Sequence, residues 1–345
     1  MEGGIFSFTM NETTYDKPFK TYEELISIME SRHIEISDKE FAIQALTNYS
    51  YYGIVNGYKN TFLQVEGTDD FIPGTTFEEL YTLHIIDTAI NNVIFKYILF
   101  LEKALKSRLS YLVAENFGVY TIPSDLRCTD VTDYLFRGNY SNSNGKRATV
   151  LKKLKEYISR DNKNPIMQHY LRNKNHIPPW ILTTGVPYGL TIEWYNILKK
   201  EHKTKLCDTF ISSGLLSDEQ VKEFIRKSLD LTKEYRNKIA HGNRTFNMIS
   251  LPQLPKKQTL TLTFNAISEE EYDKRIGQND TFAIILLLIV LLSDKYLISN
   301  FYKELYIALI PYEKLLFNGQ TIFDIFGFPN NIFDRLELLI SQKFS

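Results

Sequence analysis

One segment concentrates side chains able to do chemistry: Arg236-Asn237-Lys238-Ile239-Ala240-His241, followed by Gly242. Arg236 is a permanent cation whose planar fork suits a phosphate, and His241 carries a group that titrates near neutrality. Asn237, four residues before His241, shares its helix face and adds a hydrogen-bonding amide. Such a set suits RNA cleavage without a metal ion. The 2′-hydroxyl must lose a proton as its oxygen attacks the adjacent phosphorus, and the departing 5′-oxygen must gain one. His241 can serve either step, while Arg236 stabilises charge developing on the phosphoryl oxygens. One histidine does not easily do both. No second Arg/His pair of this spacing occurs: Arg172 and His176 are one residue too close, and Arg160 and His169 are too far apart. Two copies of the segment across a homodimer would supply both proton transfers. The competing reading is structural, because basic groups at the end of a helix complement its dipole.

The elements that must position this segment are helical. Ser217-Asp218-Glu219-Gln220 has the pattern of a capping box and predicts a helix running to His241. Val221, Phe224, Ile225, Ser228, Thr232, Tyr235 and Ile239 form its inner face, and Gly242 stands where a glycine ends a helix. A longer helix is predicted over 76–117, capped by Thr76 and Glu79 and ended by Gly118. Its apolar stripe is Ile94, Ile98, Leu101, Leu105, Leu109 and Leu112. Lys96, Lys103 and Lys106 lie largely off the stripe, on a face that is either solvated or RNA-facing. Two short helices open the chain at Thr21/Glu24 and Ser37/Glu40, followed by the aromatic stretch Tyr49-Ser50-Tyr51-Tyr52.

Residues 119–179 read as a basic variable insertion, with a polar loop at 139–145 and a short helix at 147–160. Lys146, Arg147, Lys152, Lys153 and Lys155 belong to this stretch. Pro252 and Pro255 interrupt the window 245–279, in which 259–264 (TLTLTF) alternates like a short strand. Helices near 281–294, 296–317 and 329–343 complete the chain. The expected organisation is an N-terminal helical region, 1–74, packed on a helical domain, 75–345.

The 345 residues carry a formal net charge of -1, which excludes a strongly basic whole protein but not a basic face. Cys128 and Cys207 are the two cysteines, which argues against a disulfide framework or a cysteine zinc site. A reduced cytoplasmic setting is expected, with no cofactor and no metal. The start of the chain lacks the basic and apolar regions of a secretory signal. The most apolar run, 282–292, is shorter than the roughly 20 residues of a membrane span and is expected to be a core helix.

Arg, a polar residue, three further residues and His is the signature of the HEPN superfamily of helical ribonucleases, and 236–241 resembles it. The continuation Asn243-Arg244-x-Phe246-Asn247 is similar to the Abi-like (AbiD/AbiF) abortive-infection branch. Lys17-Pro18, Asn48-Tyr49-x-Tyr51-Tyr52, Gly57-Tyr58, Leu101-Glu102-Lys103 with Arg108, and Pro179-Trp180 resemble other parts of that family in order. The resemblance implies a HEPN-type helical bundle with extra N- and C-terminal helices and one short β element. It further implies dimerisation and an RNA-cleaving toxin of anti-phage defence related to the HEPN domains of type VI CRISPR nucleases. Control by a small non-coding RNA is implied as well. Arg236 and His241 would be catalytic, with Asn237 orienting them. Glu102, Arg108, Arg244 and Asn247 match family positions whose role can be structural. Another HEPN branch modifies a tyrosine two residues after the histidine, where this chain has Asn243.

Candidate RNA contacts are therefore Lys103, Lys106, Arg108, Lys146, Arg147, Lys152, Lys153 and Arg244. Trp180 and Trp194 are expected to be core anchors, and the Tyr49, Tyr51 and Tyr52 cluster to pack rather than stack on bases. His33, His84, His169, His176 and His202 show no metal spacing. A non-catalytic RNA-binding scaffold is the alternative function.

Overall fold

Capping boxes followed by apolar stripes make the chain almost wholly helical. The computed structural model describes residues 17–158, 164–212, 214–245, 248 and 251–345. Arg160, Phe246 and Asn247, which figured in the sequence reading, lie outside the described residues. Among the described residues there are fifteen α-helices and one two-stranded sheet, so the chain is mainly α. It divides into two compact units, Met1–Ile85 and Ile86–Ser345.

In the first unit, α1 (Tyr22–Ser31) starts at the Thr21/Glu24 capping box and buries Ile26 and Met29. Helix α2 (Lys39–Tyr58) is capped by Asp38, whose carboxylate accepts from the Phe41 amide at 2.9 Å; the expected cap, Ser37, instead donates to Glu78 at 2.6 Å. The aromatic stretch falls inside α2, which kinks at Ser50 (φ 62°). Tyr49 packs on His84 with ring centroids 4.8 Å apart, and Tyr51 accepts from Arg32 at 2.9 Å. Tyr52 remains exposed.

Helix α3 (Phe77–Phe117) begins in the first unit, and most of its length belongs to the second. It is long and apolar enough to cross a bilayer, yet Ile94, Ile98, Leu101, Leu105 and Leu109 are fully buried inside the protein. Each such burial contributes about 1.5–3 kcal/mol. Beyond α3 the chain has no further α-helix until α4 (Arg147–Glu156), only a short 3-10 turn at Arg137–Asn139, and is organised by Asp133. That carboxylate accepts from Thr121 Oγ1 and the Ile122 amide, both at 2.9 Å, and from the Leu135 amide at 2.7 Å. It also pairs with the Lys155 ammonium, both side chains being 0% exposed. Lys155 is thus a buried ion-pair partner and not part of a basic surface.

Then follow α5 (Pro165–Asn173), α6 (Pro179–Gly185), α7 (Tyr188–Asn196), α8 (Lys200–Asp208) and α9 (Asp218–Ala240). Trp194 of α7 is fully buried and donates to Tyr140 at 3.1 Å, as a core anchor should. Trp180 is not one: it is 47% exposed. Helices α7 and α8 pack on α9.

The expected strand at 259–264 is a correction. Residues Lys256–Leu262 form α10, and Thr259, Thr261 and Thr263 donate to the carbonyls four residues earlier, each at 2.8 Å. The hydroxyls are satisfied inside the helix, and Thr259, Leu262 and Thr263 fall on one buried face. The short sheet lies elsewhere. After α11 (Glu269–Asp273), α12 (Thr281–Leu291) and α13 (Lys295–Leu309), β1 (Leu316–Phe317) and β2 (Gln320–Thr321) pair across Asn318-Gly319. Both turn residues have positive φ, 49° and 76°, the Asn-Gly signature of a tight hairpin. Helices α14 (Ile322–Phe326) and α15 (Ile332–Lys343) complete the unit. The apolar run is α12, every residue of it buried. Lys343 donates to the Ile289 and Leu292 carbonyls at its end, each at 2.7 Å.

Candidate functional site at the end of helix α9

Helix α9 is built to bring its last turn out of the core. Ser217 and Gln220 form the predicted capping box. The buried face, Val221, Phe224, Ile225, Ser228, Leu229, Thr232 and Tyr235, stops at Tyr235. Arg236 and Asn237 are half-buried, and His241 is exposed. The helix ends in a Schellman motif: the Gly242 amide donates to Ile239 at 2.9 Å and the Asn243 amide to Lys238 at 3.0 Å. Gly242 has φ +68°, where glycine is favoured. Three residues on, buried Thr245 donates to Asn91 of α3 and lies 3.5 Å from Asp87, which pins the returning chain.

Arg236 faces α3. Its Nε lies 4.0 Å from Oε2 of Glu102, and its Nη1 donates to Asn237 Oδ1 at 3.5 Å, a long bond. Glu102 is 8% exposed, and its other oxygen accepts from Lys106 at 2.7 Å. Neither Arg236 Nε nor Glu102 Oε2 has a hydrogen-bond partner among the described residues. Buried groups left in this state are uncommon and cluster where a ligand or reaction uses them. The guanidinium is thus positioned by charge, with much of its donor fork uncommitted. The Arg236 side chain is 34% exposed, so a phosphate can approach the outer edge of its guanidinium.

The structure brings part of the sequence-predicted set to this place. Arg236, Asn237 and His241 share the end of α9, and Lys106 reaches it through Glu102. Lys103 is exposed on α3, one residue from Glu102, and Arg244 is exposed in the loop after Gly242. Arg108 is engaged otherwise: it donates to the Thr209 carbonyl at 2.6 Å and to Ser293 at 2.8 Å, over the Phe210 ring. On α4, Lys146 and Lys152 are exposed, Arg147 donates to the Tyr140 carbonyl at 3.1 Å, and Lys153 pairs with Glu193 at 3.2 Å. Helix α4 packs on α7.

Sequence reasoning assigned Glu102 no site role. Its inter-helix pairing has no local signal, although it stands three residues before Leu105 on the stripe side. A second basic cavity of about 490 Å³ also went unread, lined by Lys200, Lys203, Lys222 and Arg226. Much of its charge is neutralised, since Lys200 and Lys222 both pair with Glu219, at 2.7 and 3.0 Å. Burial pushes the Cys128 and Cys207 thiols up to about 11, so neither is a ready nucleophile. Among the described residues no three His, Cys, Asp or Glu side chains are grouped to hold a metal ion.

No curated protein and no solved structure matches the chain significantly. A family model described as Abi-like protein matches residues 44–247, a stretch containing α3 from its start, Trp180, Glu102, Arg236 and His241. Covering more than half of the chain, that match shows that the protein belongs to the Abi-like family, and the membership supports an abortive-infection role.

Proposed function

We propose that the protein is a metal-independent endoribonuclease of the HEPN type. It acts as a homodimer, serves abortive infection and is controlled by a bound RNA. The observation that carries the proposal is Arg236, its guanidinium Nε unpartnered beside an equally unpartnered Glu102 oxygen, next to exposed His241. In the reaction the 2′-oxygen forms a bond to phosphorus while the bond from phosphorus to the 5′-oxygen breaks. One imidazole takes the 2′-hydroxyl proton and a second, from the other subunit, protonates the 5′-oxygen. Arg236 stabilises the charge on the non-bridging oxygens. The products are a 2′,3′-cyclic phosphate and a 5′-hydroxyl. Control by RNA rests on the family resemblance.

Purified protein should nick single-stranded RNA in EDTA and leave cyclic phosphate ends, whereas Arg236→Ala and His241→Ala should not. Equal cleavage by those variants would refute the proposal. A second reading, a non-catalytic RNA-binding scaffold, is favoured by exposed Lys146 and Lys152 on α4. It predicts salt-sensitive RNA binding without cleavage.

A further inference from the structure

A groove of about 480 Å³ runs between α3 and α6, and Glu102 belongs both to it and to the Arg236 pair. Its walls are Lys103, Lys106 and Ser107 on one side and Trp180, Thr183 and Thr184 on the other. Trp180 is 47% exposed, although its neighbours Pro179, Ile181 and Leu182 are buried. No aromatic ring among the described residues packs against it. An indole left open in this way offers a large flat face on which a base can stack. Beside it stand two cations, exposed Lys103 and Glu102-bound Lys106, and one buried carboxylate oxygen that lacks a donor.

A flat ring and flanking ammonium groups match two parts of an unpaired nucleotide, its base face and its phosphate. We infer that this groove seats an unpaired nucleotide of single-stranded RNA, with its base stacked on Trp180 and its phosphate on Lys103. This inference rests on the proposed ribonuclease reading and names its substrate class, RNA unpaired beside the cleaved phosphate. Glu102 couples the groove to Arg236, so a nucleotide seated there lies next to the reacting phosphate.

The test uses the full chain carrying His241→Ala, so that RNA survives, and short single-stranded and duplex RNAs of equal length. Trp194 is fully buried, so quenching of the exposed tryptophan reports Trp180. Single-stranded RNA should quench it, and Trp180→Ala should weaken single-strand binding about tenfold. Trp180→Phe should retain most of the affinity, duplex binding should be unmoved, and Lys103→Gln should reduce the salt dependence instead. Equal single-strand affinity in Trp180→Ala would overturn the inference. So would a dimer that falls to monomer with that substitution while affinity holds, since the ring would then be covered by a second copy. Cleavage by protein retaining His241 separates the two ideas. Quenching without cleavage sinks the nuclease and keeps the groove, whereas cleavage unchanged by Trp180→Ala does the reverse.

Discussion

Replacing Lys155 by methionine should resemble the loss of an RNA contact unless stability is measured beside binding. The side chain sits in a basic stretch, yet it is 0% exposed and its ammonium is paired with Asp133. It also donates to Thr121 Oγ1 at 2.7 Å and to the Ile122 carbonyl at 2.8 Å. Breaking a buried ion pair from one side costs about 3–5 kcal/mol, because the remaining charge is stranded. The two sides are unequal here. Without Lys155, Asp133 keeps three donors, from Thr121, Ile122 and Leu135. Without the carboxylate, Lys155 keeps two neutral acceptors and no carboxylate in ion-pair contact, only the weaker pull of Asp125 and Asp130. Asp133→Asn should therefore cost about 4–5 kcal/mol and Lys155→Met about 3. At about 1.5–2 °C per kcal/mol for a unit of this size, the melting temperature should fall roughly 6–10 °C for the first and about 4–6 °C for the second. The double variant should be no worse than Asp133→Asn alone. Circular dichroism melts give these shifts, and RNA affinity measured well below the melt should be unchanged. Additive losses in the double variant, or weaker RNA binding by folded Lys155→Met, would refute the buried-pair account.

Gly242→Ala should cost about 1 kcal/mol, since φ is +68° and nothing lies within 4 Å of an added Cβ, so the penalty is conformational alone. An unchanged melt would contradict the Schellman ending, and cleavage should fall more than stability because His241 is the cap residue. Arg335 holds Glu271 through two 2.8 Å bonds and depresses its carboxyl to about 2. The resulting stability, about 3 kcal/mol, is fully present above pH 4.5 and is lost as pH falls toward 2. Denaturant midpoints of Glu271→Gln should lose that part of the acid dependence; parallel curves for the two proteins would count against it.

Helix α9 was readable from end to end because each of its signals is local: a capping box, a stripe of period 3.6 and a glycine at C′. The strand expected at 259–264 failed because strict alternation over six residues does not reveal that threonine hydroxyls will be satisfied inside a helix. The actual hairpin had its own signal, the Asn318-Gly319 pair, but its two-residue strands, the second of them polar, carry no alternation to read. Lys155, counted in the basic stretch but not among the candidate RNA contacts, is buried because it stands four residues after Leu151 and three before Ile158, both buried, on the apolar face of α4. Trp180 was assigned by the average habit of its residue type. Nothing local distinguishes it from Trp194, because what exposes it is the groove between α6 and α3.

The pairing of Glu102 with Arg236 changes what the motif can be. A dipole-complementing helix end needs only an exposed cation, and burying a carboxylate against it would serve no purpose. Here α3 presents a nearly buried Glu102 whose Oε2 stops 4.0 Å short of Arg236 Nε, leaving two orphaned atoms. A purely structural pair would close that gap, since the hydrogen bond would recover part of the desolvation cost of both groups. Leaving it open keeps the guanidinium aimed but unspent, which is what a clamp on a developing phosphoryl charge requires. The same reasoning bears on the histidines. His202 packs on Phe117 and burial holds its pKa below the ordinary value, so it is a poor proton donor for the site. Under the proposed reaction His241 would be the proton carrier of the motif, and the second proton transfer would need another copy of the chain.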